Sequence, residues 1–206
     1  IYRETEGNPL FVMELMRAGG RTTDQANGAA DQAMPPKVRA TIQYRLSQLS
    51  APAQSLIQVA AVIGREFTLD VLARACDQSE DTLVQGLDEL WRKHVVREQG
   101  ASAYDFSHDK IRAVAYAGLS TTRRRMLHHK VAEALVNVHA ADLEAISAQI
   151  AQHYEIAGQA DRAIEFYRRA AQAAQRVYAN GEAISSYQHL LESDLGKHLS
   201  PQDMCG

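Results

Sequence analysis

The sequence has little of what marks a disulfide scaffold, a membrane span or a nucleic-acid-binding surface. Two cysteines occur in 206 residues, Cys76 within a helical pattern and Cys205 near the end, which excludes a disulfide framework and fits a reducing compartment. Lysine and arginine total 22 against 25 aspartate and glutamate, a formal net charge of −3, so no excess of positive charge draws the chain to phosphate backbones or anionic lipid. No apolar run is long enough to cross a bilayer and no secretory leader pattern is present; the expectation is a cytoplasmic protein without a membrane contact. Glycine and proline are sparse, 12 and 5, so helix breakers are few and a mainly α fold is predicted.

Several chemical signatures are lacking as well. Neither G-x-x-x-x-G-K-S/T nor G-x-G-x-x-G occurs, so these residues do not by themselves hydrolyse a nucleoside triphosphate in the P-loop manner. There is no G-x-S-x-G elbow, no local cysteine signature and no C-x-x-C; no catalytic residue and no metal site are expected. His128 and His129 are adjacent and point about 100° apart on a helix, so they do not share one metal as i, i+4 histidines do. They are read as solvated helix surface. With Arg123, Arg124, Arg125 and Lys130 they form the one basic cluster, expected to face solvent or to pair across an interface.

What is present is a succession of helical patterns with local stop and start signals. Asn8 caps a helix whose first residue is Pro9, and Leu10, Phe11, Met13, Leu15 and Met16 give it an apolar face; Gly19 and Gly20 end this first unit, residues 1–20. Arg21 to Met34 carries almost no large apolar side chain, which predicts a mobile linker over residues 21–35, closed by Pro35-Pro36.

From Lys37 the pattern tightens. Val38, Ile42, Leu46 and Leu49 keep helical spacing, Ser50 caps a second helix through Ile63, and Gly64 stops it. REF then leads through Thr68 into a short helix, Leu69 to Ala75, and Ser79 caps the helix of EDTLVQGLDELWRKH. In that helix Leu83, Leu87, Leu90 and Trp91 make the predicted buried stripe, with Asp81, Gln85, Asp88 and Glu89 outward. VVREQ and AYDF around Gly100 read as a two-strand hairpin. Helices followed by a hairpin are the order of a winged helix, expected over residues 36–119. The carboxylates on its third helix oppose a DNA backbone, which argues against DNA binding through this unit.

Residues 120–206 read as helices throughout: Thr121 to His139, then Asp142 to Ala157 ended by Gly158. AIEFYRRA, Ala163 to Ala170, and AISSYQHL, Ala183 to Leu190, then repeat Ala-Ile with Tyr one turn later. Small and large side chains at fixed offsets suit stacked helical-hairpin repeats. Because the residues open in mid-pattern and stop just after an amphipathic helix, they are expected to belong to a longer protein.

The junction YDFSHDKIRAVAY, Tyr104 to Tyr116, places His108 and Asp109 between a strand and an amphipathic helix. The first N–H groups of such a helix lack partners and attract anions. An imidazole there donates to a phosphate oxygen, and Asp109 in the first turn favours the dipole and fixes the loop by accepting backbone N–H bonds. The plain alternative is a Ser/Asp cap with a surface histidine. The residues alone leave both readings open.

Taken in order, TEGNPLFVMEL, MPPKVRATIQYRLSQLS, AAVIGREF, FSHDKIRAVAY, RRRMLHHKVAEAL and HYEIAGQADRAIEFYRRAA resemble the region after the ATPase core in bacterial STAND-type signalling NTPases. These are AAA-like regulators that include LuxR-type and SARP-type transcriptional activators. The resemblance implies that Pro9, in GNPL beside Asn8, packs against the adenine of a bound nucleotide. It implies that FSHD corresponds to the M-H-D element, whose histidine, His108, contacts the β-phosphate of ADP while Asp109 braces the loop. Phe106 and Ser107 precede that histidine here, a departure from the Met of the element. Walker motifs, ATP and its Mg would then belong to an upstream nucleotide-binding domain acting in cis. The C-terminal helices would be tetratricopeptide-type repeats that receive a protein partner. The segment itself is expected to be non-catalytic and regulatory; the alternatives are a DNA-binding winged-helix regulator and a plain scaffold of helical repeats.

Overall fold

A computed structural model describes residues 34–100 and 102–176 of the chain. In chain order the elements are α1 (Pro36–Ser47), α2 (Ala51–Ile63), β1 (Glu66–Thr68), α3 (Leu69–Ala75), α4 (Glu80–Arg92), β2 (Val96–Gln99), β3 (Ala103–Phe106), α5 (Asp109–Ala117) and α6 (Thr121–Val138). A 3₁₀ turn, Glu144–Ile146, then leads into α7 (Ser147–Ala157) and α8 (Ala160–Arg176). The described residues are mainly helical, as composition predicts, with one small antiparallel sheet. The predicted helix at Asn8 and Pro9, most of the predicted linker and the second Ala-Ile-x-x-Tyr copy lie outside the described residues.

Local chemistry sets most boundaries. Hydroxyls of Ser50, Thr68, Ser79 and Ser120 accept the N–H of Ala53, Val71, Thr82 and Arg123, satisfying donors that a helix start leaves without an intrahelical partner. Pro36 opens α1, where its missing N–H costs nothing. α2 is the hub: Ala53, Leu56, Ile57 and every residue from Val59 to Ile63 are buried, so the helix is apolar on nearly all sides. It packs against α3, α4, α5 and α6. Close approach to α4 depends on Gly86, because a Cβ there would lie 2.4 Å from Leu56 Cδ1.

Three expectations need correcting in this half. The hairpin carries a third strand: the sheet order is β1-β3-β2, with Phe67 opposite Tyr104 and Val96 opposite Phe106. β1 spans three residues, too short to show an alternating pattern before tertiary pairing selects it. Phe67 and Phe106 meet edge to face at 6.0 Å on the core side. Trp91 is 51% exposed. Leu83, Leu87 and Leu90 keep one helical stripe, and the residue after Leu90 turns about 100° away from it. Glu89 is also turned inward from its expected outward position. It accepts the Ser50 hydroxyl at 2.5 Å and the Ser50 N–H at 3.1 Å, closing the start of α2, while Asp81, Gln85 and Asp88 are exposed.

α6, α7 and α8 form the second layer, α7 packing against both neighbours and α6 against α2 and α3. Ala163, Ile164 and Tyr167 are all buried, the shared face that their spacing predicts. Tyr154 stacks on Phe166 with ring centres 5.6 Å apart. α7 starts at Ser147, later than the expected Asp142, because the 3₁₀ turn intervenes. Gly158 ends it in the left-handed region at φ 80°, where glycine carries no Cβ penalty.

Candidate functional site

The junction between β3 and α5 is held from both sides. Phe106, fully buried, donates its N–H to Arg65 C=O at 3.1 Å. Ser107 donates its N–H to Val95 C=O and its hydroxyl to His94 C=O at 2.9 Å. His94 itself sits at φ 52°, a left-handed turn after α4 that aims its carbonyl at this loop. On the helix side Ile111, Val114 and Ala115 are buried, and Arg112 Nε donates to Ala61 C=O at 3.1 Å, tying α5 to α2.

Between these anchors His108 is the N-cap residue of α5, with extended backbone (φ −150°, ψ 138°) and no side-chain capping bond. Its ring is half-buried. Asp109, the first helical residue, pairs with Arg65: Nη1 lies 2.6 Å from Oδ2. The loop is therefore braced by a guanidinium that leaves the end of α2, whereas the sequence suggested backbone N–H bonds. Arg65 was missed because it pairs across 44 residues, and only the neighbouring stop signal at Gly64 pointed to its turn. The structure brings Ser107, His108 and Asp109 together; Pro9 and Asn8 lie outside the described residues.

A second polar constellation lies where α5, α6 and α7 meet. His128 is 4% exposed, against the expectation of solvated surface. Adjacent residues on α6 face different ways, so His128 enters the core while His129 takes the Gln159 amide at 3.0 Å. His128 Nδ1 lies 2.9 Å from Nδ1 of buried His153, and His128 Nε2 lies 3.0 Å from the Tyr116 hydroxyl. Burial, then the positive charges of Arg124 and Arg112, push the His128 imidazole down to about 4. Burial, then His128 and Arg112, push His153 down to about 3. Both rings are neutral at pH 7.

The basic cluster is largely spent on packing. The Arg124 guanidinium covers the Tyr116 ring at 4.4 Å, Lys130 pairs with Asp77 between α6 and the loop after α3, and Arg125 lies over Gly158. Among the described residues no three of His, Cys, Asp or Glu are grouped to hold a metal ion, and no helix is long and apolar enough to cross a membrane. Comparison of the chain with protein-family models, with curated proteins and with solved structures finds no match.

Proposed function

We propose that the chain is the regulatory segment of a STAND-type signalling ATPase, in which a winged-helix unit senses the nucleotide held by an upstream domain. The order α2-β1-α3-α4-β2-β3 suits a winged helix, with the strands as the wing that leads into α5. The observation that carries the reading is His108: an imidazole at a helix N-cap that does not cap its own helix, on a loop pinned by Arg65 and Ser107. The α5 N-terminus and the His108 ring supply donors of the kind that a terminal phosphate takes up. The pinned loop holds the backbone from which they project. ADP would be held mainly by the upstream domain together with Pro9, and its Mg by residues of that domain.

A phosphate contact made from a separate lobe makes nucleotide state a term in the equilibrium between lobe arrangements. Exchange of ADP for ATP then releases one arrangement and favours another. α7 and α8, with Tyr154 and Phe166 interleaved, would be the first of the tetratricopeptide-type helices that receive a protein partner. A DNA-reading module is the weaker reading, since Asp81 and Asp88 stand exposed on α4 and repel phosphate. The test is His108→Ala in the full-length protein. Faster ADP release and raised basal signalling are expected. Unchanged ADP affinity together with unchanged basal output would overturn the reading.

A further inference from the structure

We infer that the chain of contacts Tyr116–His128–His153 is a proton-operated latch that joins α7 and α8 to the rest of the protein. One hydroxyl and two imidazoles connect three helices: Tyr116 on α5, His128 on α6 and His153 on α7. The 2.9 Å contact between two Nδ1 atoms needs one N–H and one lone pair, so the link exists only while at least one ring is neutral. If both rings carry two protons, two N–H groups oppose each other at that distance and the link becomes a repulsion.

The charges that act on the pair are already positive. From α5 the pair faces Arg112 and Tyr116, and from α6 it faces Arg124; Arg112 is itself bonded to the Ala61 carbonyl of α2. Arg124 Nε is buried without a hydrogen-bond partner, so no acceptor answers that N–H. Glu133 on α6 and Glu155 on α7 accept from the hydroxyls of Tyr154 and Tyr167. Protonation therefore favours an arrangement in which the rings reach water, and α7 leaves α6 to allow it.

The direction with pH follows from linkage. Opened rings bind protons near the ordinary histidine value of 6.5, and the closed pair does so only near 4 and 3. The latch is at full strength above about pH 6.5 and weakens as pH falls from there toward about 4. One ring exposed on opening raises the opening constant about tenfold between pH 7.5 and 5.5, and two rings raise it more.

The experiment is amide hydrogen exchange of the full chain at pH 7.5 and 5.5, corrected for intrinsic exchange, comparing α7 and α8 with the core helix α2. The expected result is a loss of protection of at least tenfold in α7 and α8 that α2 does not share, and a much smaller loss in His153→Asn, which keeps a polar group at the Nδ1 position. Equal loss in the variant and the unaltered chain would overturn the inference. Should the variant not fold, imidazole NMR titration of the unaltered chain decides. Two rings that stay neutral to below pH 5 unless α7 opens support the latch, and rings that protonate near 6.5 with α7 still protected refute it. Neither outcome depends on nucleotide, so this inference stands or falls apart from the role of His108.

Discussion

Arg65 Nη1 lies 2.6 Å from the Asp109 carboxylate, so the residue that leaves the end of α2 fixes the first turn of the helix after His108. Both partners are substantially exposed, 42% and 57%, and such pairs contribute about 1 kcal/mol or less. Arg65→Met is therefore expected to change the urea midpoint only slightly. If His108 senses nucleotide, the same substitution speeds ADP release from the full-length protein by loosening the loop. A large stability loss would show instead that the contact is mainly structural.

How much of this was legible follows the range of the interaction that decides it. The caps at Ser50, Thr68 and Ser79 and the stop at Gly64 act within four residues, and the observed α2, α3 and α4 start where those residues predict. α5 likewise runs from Asp109 to Ala117, as the pattern after His108 implies. The pairing of Arg65 with Asp109 and of His128 with His153 spans 44 and 25 residues, and no local periodicity carries it. β1 and the burial of His128 depend on which face a neighbouring element covers, and the exposure of Trp91 on the absence of cover there. A single helix pattern ranks residues by polarity and does not register such cover.

At the start of α2 two devices act on the same group. The Ser50 hydroxyl caps Ala53 N–H and donates to Glu89. Ser50→Ala removes both and is expected to cost about 1 kcal/mol, read from urea denaturation. The bonds from Ser50, opposed by partial burial and aided by Lys93, hold the Glu89 carboxyl below its ordinary 4.5. Its contribution is present above about pH 4.5 and is lost as pH falls below that value. Glu89→Gln should therefore flatten the acid side of the stability profile, and an unchanged profile would count against the contact.

Where α4 packs on α2, Gly86 leaves the space that the end of the Leu56 side chain fills. Gly86→Ala would set a Cβ 2.4 Å from the terminal carbon of Leu56, which is fully buried. Overpacking of this kind costs about 1–3 kcal/mol, and alanine in place of a helical glycine returns about 1 kcal/mol. The net loss expected is about 1 kcal/mol. A double-mutant cycle with Leu56→Ala discriminates: the pair should lose less than the sum of the single changes, because the new methyl enters the space that Leu56 vacates. Strict additivity would mean that the helices move apart instead.

Asp105 is the buried carboxylate of the sheet, 3% exposed, between Glu66 and Arg97 on the face opposite Phe67. Burial alone raises its carboxyl, but the bonds from Arg97 Nε and Nη2, at 2.8 and 2.9 Å, and from Gln99 outweigh it and hold the group below its ordinary 3.8. Arg97→Met leaves that charge buried without its main partner, a loss expected at about 2–3 kcal/mol. The sign with pH then reverses. In the unaltered chain Asp105 adds stability above about pH 3.8 that is lost on acidification, whereas in Arg97→Met burial dominates, the carboxyl rises, and protonation relieves the strain. The variant's deficit relative to the unaltered chain should therefore shrink as pH drops from 7 toward 4. Adding Asp105→Leu to Arg97→Met should recover stability at neutral pH, since two apolar groups replace an orphaned charge. A double variant weaker than Arg97→Met alone would show that Asp105 supports the sheet through contacts other than the ion pair.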